Sequence, residues 1–316
     1  MISRRLIRVK VLQVLYAYLK SEKSSINIAE KELFFSLNKS YDLYFYLFLL
    51  ALEIQRYGQK RIDLAKQKKR PNPEDLDPNM RFVENKCLKQ IENNFFINKH
   101  LSERKLSWIN YPELISKLYR EMEKEQYYLD YMESEEINYK ADKKFLEDLF
   151  TQTIAPNEDI QNILEEQSIY WNDDLEFVIS MILRTLSKFK EKSDDYQKVM
   201  PQFKNDEDDS FAKRLLRKSI LKGDEYIELI KKYAKNWELE RIADMDIIIM
   251  QQAITEVVEF PSIPTRVTFN EYIEIAKFYS TNKSSVFING ILDKAVQELK
   301  EKNIVKKQGR GLIGEV

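Results

Sequence analysis

The sequence predicts an all-α protein, built almost wholly of helices. Three observations point there. Only six glycines and eight prolines occur in 316 residues, about a third of the glycine expected from average usage. Three of those six glycines fall in the last eight residues. Apolar residues recur at helical spacing in long uninterrupted stretches, and the 43% hydrophobic content is enough to fill a core.

Residues 4–20 carry a continuous helical pattern. A second long helix is predicted over residues 28–69, with a possible break at Gly58. Its greasiest run, Leu43 to Leu52, is half the length a membrane span needs and is closed by Asp42 and Glu53, so it reads as a buried core helix. Pro71, Pro73 and Pro78 mark residues 70–80 as the clearest loop. Helices resume over about 82–99, 111–133 and 140–154, and the acidic stretch Asn205 to Asp209 is a second boundary. Residues 145–182 align without a gap on 211–248, pairing Phe145 with Phe211 and Trp171 with Trp237. Both copies read as a helix, a short turn and a second helix, which is either a decayed duplication or two amphipathic hairpins matching by chance. Thr268-Phe269-Asn270-Glu271 has the form of a capping box opening a helix, and a last helix starts near Ser284 or Ser285. The basic, glycine-rich tail after Asn303 is expected to be mobile.

Cys87 is the only cysteine and His100 the only histidine. Disulfides, Cys/His zinc sites and histidine-assisted nucleophilic catalysis within one chain are thereby excluded or nearly so, and Cys87 reads as a half-buried filler. The glycines at 58, 223 and 290 match no phosphate-cradling pattern, and the carboxylates sit at helical surface spacing with no pair gathered at a cleft. No cofactor and no enzymatic activity is expected. No apolar signal-peptide core follows the N-terminal charges, so a cytoplasmic protein without a membrane partner is expected.

With a net charge of -1, any nucleic-acid signal must be local. Arg4, Arg5 and Arg8, followed by Lys10, open the first helix with no acid before Glu22. Cations at a helix N-terminus forgo about 0.3–1 kcal/mol each relative to acids, so a compensating anion is expected. A polyanionic nucleic-acid backbone is the natural candidate, and a solvated charged end is the bland alternative. Phe287 lies off the buried stripe of Ile288, Ile291 and Leu292, beside Gly290 and Lys294. It is either a stacking platform for an unpaired base or a peripheral core ring.

Together these segments resemble the NusB family of transcription antitermination factors. Arg4-Arg5, Arg8 and Gln13-Val14-Leu15-Tyr16 match its arginine-rich first helix with a Gln-x-Leu-Tyr ending. Val267-Thr268-Phe269-Asn270-Glu271-Tyr272-Ile273-Glu274-Ile275-Ala276-Lys277 resembles V-x-I-N-E-A-V-E-L-A-K, and Phe287-Ile288-Asn289-Gly290-Ile291-Leu292-Asp293 resembles F-V-N-G-V-L-D. The likeness covers roughly residues 1–40 and 205–300. It implies small helical bundles packed together, here with an additional helical insertion, in a protein that binds boxA-like single-stranded RNA as a heterodimer with the ribosomal protein NusE, within the RNA polymerase antitermination complex that supports ribosomal RNA transcription. It also implies RNA contacts from Arg4, Arg5, Arg8 and Lys10, with Phe287, Asn289 and Lys294 beside them, and partner contacts from Tyr16 and Asp246. Two family arginines on the helix of Asp246 are Ile247 and Gln251 here, so that interface has drifted.

The expected organisation is residues 1–57 as an N-terminal helical part, 58–204 as a helical insertion, 205–303 as a C-terminal bundle and 304–316 as a flexible basic tail. Three or four phosphate contacts to a single strand give a salt slope of only about -2 to -3, so a second subunit is expected to supply selectivity. The chain is expected to be a monomer or weak homodimer. The competing expectation is a protein-binding adaptor whose working surface is the insertion. Related domains also occur fused to ribosomal RNA methyltransferases, but this chain lacks the glycine-rich cofactor turn such an enzyme needs.

Overall fold

The computed structural model describes residues 2–21, 25–234, 243–281 and 283–314. Among them are fifteen α-helices, a π-helical turn and a 3-10 turn, with no strand. Two compact units divide the chain, Asn38–Gln202 and Ile2–Leu37 with Phe203–Val316. No helix among the described residues is long and apolar enough to cross a membrane.

The first unit holds most of α2 (Ile26–Lys66), α3 (Pro73–Leu76), α4 (Lys86–Asn93), α5 (Phe95–Arg104), α6 (Pro112–Met122), α7 (Gln126–Glu133), α8 (Tyr139–Asp148), a π turn (Leu149–Ile154), α9 (Glu158–Gln167) and α10 (Leu175–Lys188). Every residue from Leu43 to Leu52 is buried, as a helix apolar all round must be. Its aromatic members keep their polar atoms paired. The Tyr44 hydroxyl meets Thr185 Oγ1 at 2.6 Å, and Trp108 stacks on Tyr46 at 4.0 Å while its Nε1 donates to the Tyr46 carbonyl. Cys87 is fully buried, and burial pushes its thiol up to about 12, which makes it unreactive.

Gly58 does not break α2, and the boundary between the two units falls at Leu37/Asn38 and not at residue 58. The glycine serves close packing instead. A Cβ there would lie 2.8 Å from Tyr119 Cε2 and 3.1 Å from Phe82 Cε1. The proline-rich loop also holds more structure than expected, because Asn72 caps the single turn of α3 with a reciprocal bond from Asp75.

The second unit contains α1 (Arg4–Lys20), the start of α2, α11 (Asp206–Leu221), α12 (Gly223–Tyr233), α13 (Asp244–Glu259), α14 (Thr265–Tyr279) and α15 (Ser284–Glu301). α13 is its axis, packed against α1, α11, α12, α14 and α15. The hairpins α8–α9 and α11–α12 follow the helix–turn–helix pattern seen in the sequence alignment. Trp171 is buried, while Trp237 lies outside the described residues.

Lys307 ties the basic tail to the end of α13. Lys307 Nζ donates to the carbonyls of Val257, Phe260 and Ile263 at 2.9, 3.4 and 2.7 Å, covering the C-terminal end of α13. Such carbonyls have no intrahelical partner and carry the negative end of the helix dipole, so an ammonium satisfies both needs.

Gly58→Ala tests the packing account. The gain in helix propensity is about 0.5–1 kcal/mol, but overpacking two buried rings costs about 1–3 kcal/mol. The variant should therefore unfold at a lower thermal midpoint, and a midpoint at or above the parent's would refute the close approach.

Candidate nucleic-acid interface

Ser3 caps α1, its Oγ accepting from Leu6 N–H at 3.1 Å. Leu6, Ile7, Val9, Val11, Leu12, Val14 and Leu15 are buried, so α1 is submerged for most of its length. Its basic first turns find their anions within the chain. Arg4 Nε donates to Asp208 Oδ1 at 3.0 Å, and its guanidinium lies 5.2 Å from the Phe211 ring centre. Arg5 forms a two-pronged pair with Glu271, both bonds 2.9 Å. Arg8 forks onto Glu256 with two bonds of 2.7 Å and reaches Glu271 at 3.4 Å.

Glu256 lies fully buried on α13, and besides Arg8 it accepts from Thr268 Oγ1 at 2.9 Å and the Tyr272 hydroxyl at 3.2 Å. Burial alone would push the Arg8 guanidinium down, but the charge and hydrogen bonds of Glu256 outweigh it and hold Arg8 above its ordinary value. For Glu271, burial pushes the carboxyl up, while the Arg5 hydrogen bonds and the charges of Arg8 and Arg5 hold it below the usual range.

These contacts change the standing of the basic cluster. The Arg8 side chain is only 4% exposed and Lys10 is buried, so neither is placed to meet an RNA phosphate. Arg4 and Arg5 remain 39% and 42% exposed and are the two that could reach one. The capping box is not formed either. α14 begins one turn earlier, at Thr265 after Pro264, because Thr268 and Glu271 face inward as a donor to Glu256 and an acceptor for Arg5.

Phe287 and Asn289 are half-buried on α15, and Lys294 and Gly290 are exposed. A Cβ at Gly290 would meet nothing within 4 Å, so Phe287, Gly290 and Lys294 leave one open face. Asn289 Nδ2 lies 3.4 Å from Asp293 Oδ2. This face is not beside the arginines. Ser284, one turn before Phe287, donates to Asp246 at 2.8 Å, and Asp246 is ten residues from Glu256 on α13, about 15 Å of helix.

Asp246 is itself buried, accepting from Ser280 and Ser284. It fixes the turn between α14 and α15 and is not exposed for a partner to touch. Tyr16 is partly exposed at the same end, where Gln13 meets Tyr279 at 3.3 Å and Lys20 pairs with Asp244. Phe278 and Val286, both 79% exposed, carry apolar surface there that sequence periodicity did not single out. Gln251 is buried, donating to the Ser219 carbonyl at 2.7 Å, and Ile247 is half-buried.

A family model described as the NusB family matches residues 181–297. The transcription antitermination protein NusB of Salinibacter ruber is 43% identical over 112 residues, spanning 34% of this chain and 70% of that protein. The chain belongs to the NusB family. Those of Chloroherpeton thalassium and Natranaerobius thermophilus are 51% and 46% identical over 84 and 81 residues, covering 27% and 26% of this chain but only 40% and 56% of those proteins. No solved structure matches the chain.

Within the NusB-family part, sequence reasoning missed Asp208, Glu256 and Glu271. Glu256 left one trace: a carboxylate inside the apolar stretch Ala253 to Val257, a position that demands a buried cation.

Arg8→Ala strands Glu256 in the core, so it should destabilise the protein by about 3–5 kcal/mol in chemical denaturation; a loss under 1 kcal/mol would contradict the buried pair. Glu271 supplies a pH test. A carboxyl depressed on folding adds stability above its ordinary value of 4.5 that is lost as pH falls through the lowered one. Glu271→Gln should flatten the fall in thermal midpoint as the pH drops below 4.5, relative to the parent.

Proposed function

We propose that this chain is an RNA-binding transcription antitermination factor that binds boxA-like single-stranded RNA together with the ribosomal protein NusE and supports ribosomal RNA transcription. The observation that carries this reading is the 43% identity to a transcription antitermination protein of which the chain spans 70%. Arg4 and Arg5 are the phosphate contacts of α1; Arg8 positions Arg5 by sharing Glu271 with it, and Asp208 holds Arg4. Phe287, with Lys294 and Asn289, forms a separate stacking face on α15. The partner surface is the exposed apolar group around Tyr16, Leu19, Phe278 and Val286, held in place by the bonds of Asp246.

Two cations already paired to carboxylates contribute little counterion release. RNA affinity of the isolated chain is accordingly low, and NusE raises it by making the contacts intramolecular.

Titrating a short boxA-like RNA with and without NusE tests this. NusE should raise the apparent affinity at least tenfold, and Arg5→Ala should weaken binding of the complex several-fold. Phe287→Leu should cost about 1 kcal/mol or more of RNA binding with folding intact. RNA binding that is absent even with NusE would favour the adaptor reading instead, and thermal destabilisation by Phe287→Leu with unchanged affinity would make that ring core.

A further inference from the structure

We propose that the C-terminal residues 304–314 form a fixed strap that presents Lys306 and Arg310, flanked by Arg266, as a phosphate-binding element for RNA. This extension rests on the RNA-binding reading above.

The strap is a built feature. Ile304 N–H donates to the Leu299 carbonyl at 2.9 Å as the chain leaves α15, and Gln308 N–H donates to the Pro261 carbonyl at 3.0 Å. Lys307 is consumed by three carbonyls at the end of α13. Gly309 has φ +54°, a left-handed conformation that favours glycine. At Gly311 a Cβ would stand 1.8 Å from the Pro261 oxygen, so only glycine allows this approach. Two of the three glycines that read as a flexible tail are thus required by one path over the turn between α13 and α14.

That path leaves cations over. Arg266, Lys306 and Arg310 are exposed, and none has an acidic side chain within ion-pair distance among the described residues. The basic face of α11 differs: Lys213 and Arg217 pair with Glu30, and Arg214 and Lys218 with Glu259. The arginines of α1 are likewise paired. In this unit the strap and Arg266 therefore carry charge that no carboxylate among the described residues has claimed, and such charge releases counterions when it meets phosphate.

The strap also lies near α1. The Phe211 ring that receives the Arg4 guanidinium packs 4.7 Å from Phe260, and the Phe260 carbonyl accepts from Lys307. A polyanion reaching Arg4 and Arg5 thus has the strap within a few side-chain lengths. A strap serving only to cap α13 would need Lys307 and not its two basic neighbours. RNA is favoured over an anionic membrane because the patch is small and carries no amphipathic helix.

The test uses the full chain, a fluorescent boxA-like RNA and a salt series, with NusE present throughout. Lys306→Ala/Arg310→Ala should weaken binding about fivefold or more at low salt and reduce the salt slope by about 1.4, two single-strand contacts, with the thermal midpoint unchanged. Gly311→Val keeps both cations but displaces the strap, and should lose affinity to a similar degree. A double variant with parental affinity and slope, alongside an Arg5→Ala variant that binds poorly, would overturn the strap proposal while leaving the RNA reading intact. Parental affinity in Gly311→Val would overturn the fixed placement. A loss confined to phosphatidylglycerol vesicles would overturn the choice of RNA, and a parent that binds no RNA would overturn both readings.

Discussion

The second unit is organised around one buried ion pair, Arg8 with Glu256. A carboxylate on the central helix of a bundle incurs a desolvation penalty of several kcal/mol unless its lone pairs are filled. Here they are filled from two sides: α1 supplies the two prongs of Arg8, and α14 supplies the hydroxyls of Thr268 and Tyr272. These four donors match the acceptor capacity of one carboxylate. The requirement fixes the rotation of α14, because Thr268 and Tyr272, one turn apart, must both face α13. It also fixes the depth of α1, because Arg8 must sit below the surface while Arg5 and Arg4 stay near it. Gln252 Nε2 adds a bond to the Arg8 carbonyl at 3.0 Å, so side chain and backbone of the same residue are held by α13.

The same network sets how much electrostatics is left for a ligand. A helix N-terminus studded with arginines looks like a surplus of positive charge, yet Asp208, Glu256 and Glu271 return nearly all of it. What stays available is geometry rather than net charge: Arg5 is held by Glu271 through Nε and Nη2 while still 42% exposed. An arginine ordered in this way loses less side-chain entropy on meeting a phosphate than a free one, but it must share its charge.

Much of the fold was legible in the sequence. The bounds of α1, the start of α15, the burial of Leu43 to Leu52 and the absence of strands among the described residues follow from periodicity and from the shortage of glycine. The errors share one physical cause. Gly58, the Thr268–Glu271 box, the tail glycines and the arginine cluster were each interpreted by local rules, and in each a tertiary contact overrides the local preference. Gly58 yields to two aromatic rings, Thr268 to a buried carboxylate twelve residues back, and Gly311 to a carbonyl fifty residues away. Local rules report what a segment does alone, and none of these residues is alone. Lys10 is a related case, since a charged residue in a helical pattern reads as surface until its burial is known, whereas Asp246 was placed at a partner surface by family resemblance and is buried against Ser280 and Ser284.

The arginine cluster shows where local reasoning still has value. Placing cations at a helix N-terminus sacrifices about 0.3–1 kcal/mol each, and that deficit correctly implied a missing anion. It could not say whether the anion was a ligand or a side chain. The discriminating quantity is depth: an anion met by a fully buried guanidinium must come from within the chain, because an RNA phosphate cannot follow it there without being desolvated. Arg8 is buried and its anion is Glu256; Arg5 is half-exposed and shares Glu271 with solvent. The cluster therefore divides along its own helix, from a structural residue at Arg8 to residues at Arg5 and Arg4 whose side chains stay 42% and 39% exposed.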